Sequence, residues 1–260
     1  MSLFYSLYTA ERADENAISD QPVFMRQLFA YVTAAGEVSG DILEIGCGEG
    51  YGIKWLAPKA KRYVALDKHI PVNQKNFEQV EFIQTEVPWL KEMQSNQFDV
   101  VICFQLIEHI QEDNILLSEI FRVLKPGGKL LMTTPNRSMT LSRNPYHIRE
   151  YDTIEFRKFI CQSFEPGKVF FGGVYGDREV MEYHERNRQS VEKFRRFDIF
   201  GLEKKLPAAL FKWPYDLLNR MNRKRLKKQN DALVSHITTT NFYIQQMDGQ
   251  QLDFYCRAVK

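Results

Sequence analysis

The sequence predicts an α/β fold: a parallel sheet with helices on both faces, and a helical insertion before the last strands. Three observations predict it. Short apolar runs suited to buried strands alternate with helical stretches as far as residue 174. The first of these runs, Ile42-Leu-Glu-Ile45, passes at once into Gly46, Gly48 and Gly50, the strand-then-glycine-turn arrangement that cradles a nucleotide-like group at a sheet edge. From Asp177 to about Ser235 strand candidates vanish: Asp177–Phe197 is highly charged and reads as helical, and Leu206–Leu218 is apolar and aromatic, interrupted by Pro207 and Pro214.

Each element follows in order. Residues 1–21 mix polar and aromatic side chains and read as a flap. Pro22 to about Ala35 reads as a helix, with proline in its first turn, apolar Phe24, Leu28, Phe29, Tyr31 and Val32, and Gly36 as a stop. After the glycine turn, Tyr51, Ile53, Trp55 and Leu56 suit a helix start. Arg62–Asp67 is a second strand ending in an acid, Glu81–Thr85 a third and Phe98–Phe104 a fourth. Residues 112–124 place Ile115, Leu116, Ile120, Phe121, Val123 and Leu124 on a helix. Lys125–Gly128 is a turn and Lys129–Thr134 a fifth strand closed by Pro135-Asn136. A helix near Thr153–Gln162 and a strand near Lys168–Val174 come next. The last strands are Asn241–Gln246 and Leu252–Val259, joined by Met247–Gln250, whose Asp-Gly is a hairpin signal. The expected division is therefore a flap, helix and core over 1–176, a helical insertion serving as a lid over 177–235, and final core strands over 236–260.

The bulk properties narrow the classes. A length of 260 residues suits one large domain or one domain with an addition. A formal net charge of +2 makes no global argument for nucleic acid. No run of about 18 apolar residues predicts a membrane span, and Met1–Tyr8 lacks the basic start and apolar core of a secretory signal. Cys47, Cys103, Cys161 and Cys256 are scattered without a Cys-x-x-Cys pair, which fits buried thiols in a reducing compartment and no metal cluster. The expected localisation is cytoplasmic. One local exception stands out: Arg220–Lys228 holds six basic residues and no acid, just after Trp213, Tyr215, Leu217 and Leu218. It reads as a solvated helix face, as a segment lying on an anionic membrane surface at the inner face, or as a phosphate-binding patch.

Ligands of open α/β sheets bind outside the carboxyl ends of the strands. There the chain offers Glu44 and the glycines, Asp67, then Thr85-Glu86-Val87, then Phe104-Gln105. Glycine lets a ligand approach backbone where a Cβ would collide, and an acid ending the second strand can accept hydrogen bonds from both hydroxyls of a ribose. A βα turn without a ligand and an Asp67 that only caps the next segment are the plainer alternatives. The features fit a dinucleotide or S-adenosylmethionine. The spacing is G-x-G-x-G, with Tyr51 where a dinucleotide fingerprint needs its last glycine.

Taken together, residues 42–52 (Ile-Leu-Glu-Ile-Gly-Cys-Gly-Glu-Gly-Tyr-Gly), 64–67 (Val-Ala-Leu-Asp), 98–103 (Phe-Asp-Val-Val-Ile-Cys), 107–110 (Ile-Glu-His-Ile), 122–128 (Arg-Val-Leu-Lys-Pro-Gly-Gly) and 134–136 (Thr-Pro-Asn) resemble class I S-adenosylmethionine-dependent methyltransferases, nearest the type 11/12 group. The resemblance covers about residues 35–175. It implies a Rossmann-like seven-stranded sheet whose last strand is antiparallel and lies beside the sixth. It implies that Gly46, Cys47, Gly48 and Gly50 bring backbone to the cofactor, with Glu44 beneath them. Asp67 would hold the ribose with Lys68 alongside, Thr85, Glu86 and Val87 would flank the adenine, and Phe104 and Gln105 would face the methionyl end. The family's usual Asp after strand three is replaced here by Thr85-Glu86. A looser likeness links Thr134-Pro-Asn and Asn144-Pro-Tyr-His-Ile-Arg-Glu150, and the early Thr9-Ala-Glu-Arg12, to methyltransferases of glycan and cell-surface biosynthesis, which implies a cofactor contact for Arg12.

A hydroxyl acceptor needs a base as its proton leaves. His147, after strand five, is the first candidate, with Arg149 and Glu150 placed to orient it or an acceptor; His109, in the Glu108-His109 pair, is the second and reads better as a site-lining residue. The positions that hold Mg²⁺ in catechol-type enzymes read Phe104-Gln105 and Thr134-Pro-Asn here, so no metal is expected. No Asn/Asp-Pro-Pro-aromatic motif follows strand four, so DNA is not an expected substrate. The expected activity is in-line methyl transfer to an oxygen of a small-molecule, sugar or lipid-linked acceptor. A non-catalytic module that binds S-adenosylmethionine, and an NAD(P)-dependent dehydrogenase, are the alternatives.

Overall fold

A computed structural model of the chain describes residues 13, 17–69, 71, 74–195 and 207–260. Arg12 and most of the expected flap lie outside the described residues. Two compact units are present. The larger comprises residues 27–139, 148–175 and 244–260; the smaller comprises residues 1–26, 140–147 and 176–243.

The helix expected near Pro22 is α1 (Gln21–Ala34). The strands are β1 (Gly40–Ile45), β2 (Ala60–Asp67), β3 (Val80–Gln84), β4 (Phe98–Phe104), β5 (Leu124–Pro135), β6 (Val169–Gly176), β7 (Phe242–Gln246) and β8 (Asp253–Val259). Among the described residues they form one sheet in the order β3-β2-β1-β4-β5-β8-β6-β7. β1 pairs in parallel with β2 on one side and β4 on the other. The chain thus builds outward from β1 in one direction and then in the other, which puts the topological switch point at the end of β1, under the glycine turn.

Burial explains the ranking of the strands. Ile42, Leu43 and Ile45 are at most 1% exposed, as expected of a strand covered on both faces. Leu43, Ile45, Val64, Leu66, Val101, Cys103, Leu130 and Met132 share one core with Leu116, Leu117, Ile120 and Val123 of α3 (Asp113–Val123) and with Phe156, Phe159 and Ile160 of α4 (Thr153–Ile160). Asp152 opens α4 with a capping box, accepting from the N–H of Ile154 and of Glu155, each at 2.9 Å, while its own N–H donates to Glu155.

Three expectations change. The segment after the glycine turn forms only one helical turn, α2 (Ile53–Leu56), before a 3₁₀ turn at Ala57–Lys59. The Lys125–Gly128 turn is a register shift inside β5. Most important, β7 and β8 are not hairpin partners. β8 lies between β5 and β6, antiparallel to both, and β7 lies at the sheet edge beyond β6. An Asp-Gly signal specifies a reversal of direction, not a pairing partner. β8 is buried nearly throughout and β7 is half polar and mostly open, so solvation puts β8 inside and β7 at the edge. The antiparallel strand is where the resemblance implied, and the edge strand makes eight rather than seven.

The smaller unit contains α5 (Arg178–Arg195), α6 (Ala208–Gln229) and α7 (Asp231–His236). Its polar contacts are specific. Ser190 donates to Asn222 at 2.6 Å and Asn222 to Asn187 at 2.7 Å. Arg223 pairs with Asp20 at 3.1 Å, and the Gln21 amide donates to the carbonyls of Ser235 and Ile237, both at 2.9 Å.

Candidate functional site

The site is built on the carboxyl ends of β1, β2 and β4, all in the larger unit. The glycine loop leaves β1 with the N–H groups of Gly46 and Cys47 donating to the Leu66 carbonyl at 2.7 and 3.1 Å. The next N–H, that of Gly48, donates to Asp67 Oδ2 at 2.9 Å, and His69 N–H donates to Asp67 Oδ1 at 2.9 Å. The acid ending β2 therefore holds the loop in place. Cys47 is buried and forms no disulfide with a described residue.

The loop glycines do different work. Gly48 has φ +54°, and a Cβ built on it meets nothing within 4 Å. That open space on a left-handed backbone is where a ligand can lie against the chain. A Cβ on Gly46 would press on Leu106 at 3.0 Å, and one on Gly52 would strike the Tyr31 ring at 2.1 Å. At those two positions packing leaves no room for a side chain.

Glu44 lies below the loop, 1% exposed. Tyr63 donates to its Oε2 at 2.7 Å, while Oε1 accepts no hydrogen bond from a described residue. Burial pushes the Glu44 carboxyl up to about 7, against the pull of the Tyr63 hydroxyl. Tyr31 of α1 stands edge-on to Phe104 at 5.0 Å and to Tyr51 at 5.5 Å. A buried acid with a free oxygen, an open glycine beside it and a carboxylate at the rim suit a ligand carrying an ammonium group and a diol.

The other expected positions are distributed along the same edge. Thr85 N–H donates to the Asp67 carbonyl at 3.0 Å and the Gln84 amide to the Lys68 carbonyl at 2.9 Å, which ties the end of β3 to that of β2. Lys68 and Glu86 are exposed, and Val87 packs on the core. Phe104 is buried. Gln105 follows it at φ +49°, a left-handed conformation that costs a non-glycine residue about 1–2 kcal/mol. It is held by Gln105 N–H donating to the Thr133 carbonyl at 2.9 Å. Strained backbone of this kind clusters at active sites and ligand clamps.

The segment after β5 is positioned by buried acids. Glu108 accepts from the Thr134 hydroxyl at 2.9 Å, and its carbonyl accepts from Ile148 and Arg149 N–H at 2.8 and 3.2 Å. Asp113 accepts from Arg149 and from the Tyr151 hydroxyl, each at 2.7 Å. His109 Nε2 lies 4.0 Å from Glu108 Oε1. In the smaller unit, Asn144 Oδ1 accepts from Tyr146 N–H at 3.0 Å, which leaves its amide nitrogen to donate to His147 Nε2 at 2.8 Å. His147 Nε2 is therefore an acceptor and its ring proton resides on Nδ1.

Residues 17–197 match the model of a family described as the methyltransferase domain. The chain belongs to that family. A Mycolicibacterium smegmatis protein named a probable S-adenosylmethionine-dependent methyltransferase is 34% identical over 197 residues, covering 70% of this chain and 74% of the relative. A Mycobacterium tuberculosis protein of the same name is 32% identical over 186 residues, covering 65% of each chain. A crystal structure from Thermotoga maritima, described as an S-adenosylmethionine-dependent methyltransferase and possible histamine N-methyltransferase, superposes with a TM-score of 0.53 at 15% identity, over 91% of this chain and 92% of that one. That likeness shows the fold. The cofactor of this methyltransferase is S-adenosylmethionine. Sequence reading missed Tyr31, Tyr63 and Leu106. Tyr63 follows from strand register, because it pairs with Ile42 on the face that carries Glu44. Tyr31 and Leu106 carry no motif, and only packing brings them to the loop.

Proposed function

We propose that this methyltransferase transfers its methyl group to an oxygen of a small-molecule, sugar or lipid-linked acceptor. Bound S-adenosylmethionine supplies an electrophilic methyl on a sulfonium. The protein's part is to bind, orient and exclude water. Gly46, Cys47, Gly48 and Gly50 give backbone to the methionyl part, and Glu44 Oε1 takes its ammonium. Asp67 takes the ribose, with Lys68 beside it. Thr85, Glu86 and Val87 border the adenine, and Phe104 and Gln105 border the reacting end. Arg12, outside the described residues, is the proposed partner of the cofactor carboxylate. Residues 177–235 serve as the lid of the acceptor pocket.

The observation that carries the oxygen assignment is the tautomer of His147. The donating Asn144 amide occupies the Nε2 lone pair, so the ring is the neutral form, and Nε2 takes the hydroxyl proton once the acceptor displaces that amide. His109 is a site-lining residue in this reading. The test is methyl incorporation into fractionated extract by the wild type and by His147→Ala, with the modified atom identified by mass spectrometry. An oxygen-linked methyl that depends on His147 supports the proposal; methylation at nitrogen or carbon overturns it.

A further inference from the structure

The basic segment Arg220–Lys228 forms the last part of α6. Within its own unit the helix has one covered face and one open face. Asn222 and Leu226 are buried, and Arg223 pairs with Asp20 on the same side. The opposite face exposes Leu210, Trp213, Leu217 and Met221, with Trp213 75% exposed. Their spacing of three and four residues makes a continuous stripe. At that helical phase Lys224 and Lys228 continue the stripe and Arg225 flanks it; all three are exposed. None of these three makes an ion pair with a described residue. Asp216, the single acid of this helix, is turned away and accepts from the Tyr146 hydroxyl at 2.6 Å. One wall of a cleft of about 280 Å³ is formed by Arg225, with Arg186, Lys193, Gln189, Gln229 and Asn230 around it.

Exposing four large apolar side chains in a row costs free energy in water. A partner that is apolar at one end and anionic at the other removes that cost. No helix among the described residues is long and apolar enough to cross a membrane, and this stripe covers one face only. A one-sided apolar stripe bearing tryptophan, running into cations, is the pattern of a helix lying in a membrane interface.

We propose that the exposed face of α6 docks on an anionic phospholipid bilayer. Leu210, Trp213, Leu217 and Met221 enter the boundary between headgroups and acyl chains. Lys224, Arg225 and Lys228 meet lipid phosphates, and the cleft beside Arg225 takes one headgroup. This docking holds whether or not the acceptor is lipid-linked.

The test is co-sedimentation of the full chain with vesicles of phosphatidylcholine alone and with vesicles containing phosphatidylglycerol. Binding to the anionic vesicles only, weakening as salt is raised, is expected. Reversing Lys224 and Lys228 to Glu should lower vesicle affinity at least about 30-fold, since each surface cation contributes about fivefold. Trp213→Ala should also lower it, with S-adenosylmethionine affinity unchanged in both variants. Equal binding to both vesicle types, or binding to neither, overturns the proposal. So does retention of RNA in place of vesicles, or a self-association that Trp213→Ala abolishes without any vesicle binding.

Discussion

Gly48 and Asp67 are joined by a hydrogen bond of 2.9 Å from the glycine N–H to the aspartate Oδ2. The acid expected to bind the ribose already fastens the loop expected to bind the methionyl group, so the two halves of the cofactor site are coupled. Asp67→Ala removes both functions and should weaken S-adenosylmethionine binding at least about tenfold, because a charge-assisted hydrogen bond contributes about 1.5–3 kcal/mol. Asp67→Asn keeps an acceptor for Gly48 and should fall between the wild type and the alanine variant. Calorimetric titration checks this; equal affinity in all three proteins would remove Asp67 from the site.

Gly48 and Gly52 should respond differently to alanine. The Cβ of Gly52→Ala meets the Tyr31 ring at 2.1 Å, an overpacking expected to cost about 1–3 kcal/mol of stability. Gly48→Ala meets no neighbour; it should cost about 1 kcal/mol from its left-handed backbone and mainly weaken cofactor binding. Urea denaturation separates stability from affinity, and a Gly48→Ala protein with wild-type affinity would mean that the open space holds no ligand.

Glu44 gives the site a pH dependence. Its carboxyl is raised from 4.5 to about 7 in the folded protein, so the native state binds a proton more tightly than the unfolded chain. Its contribution to stability is therefore largest at low pH and falls as pH rises from 4.5 towards 7, by up to about 3 kcal/mol. Cofactor affinity should run the other way, rising through about pH 7 as the carboxylate forms beneath the ammonium. Glu44→Gln should flatten both curves, and a Gln variant that keeps the wild-type pH profile would assign the effect to another group.

For His147, substitution by Ala should lower turnover about 10²–10⁴-fold, the usual contribution of a general base, with little change in cofactor affinity. Asn144→Ala, which removes the amide that sets the His147 tautomer, should lower turnover less. Wild-type turnover in His147→Ala would remove it as the base.

Much of the fold was legible because it is periodic and local. Ile42–Ile45, Tyr63–Leu66 and Val100–Phe104 are buried stretches of parallel strands whose apolar runs have no other good use. The glycines mark the turn for the same reason: their conformations are local. Within the site, Glu44 and Asp67 could be placed because each stands at the end of a recognisable strand. Tyr31 could not, since it lies on a helix whose apolar pattern does not reveal which ring touches Gly52. Arg149 read as a candidate to orient the base; its guanidinium donates to Asp113, a partner 36 residues earlier that only the fold brings near.

By itself the sequence determined the order of the elements, the glycine turn and the two acids beside it, because short-range sterics and hydrophobic spacing are written into neighbouring residues. Tertiary structure alone decided three things: that β7 lies at the sheet edge beyond β6 and does not pair with β8, that Asp67 clamps Gly48, and that Glu44 is buried with one oxygen free. Each is an outcome of long-range competition for burial and hydrogen-bond partners, which the positions of residues along the chain do not encode.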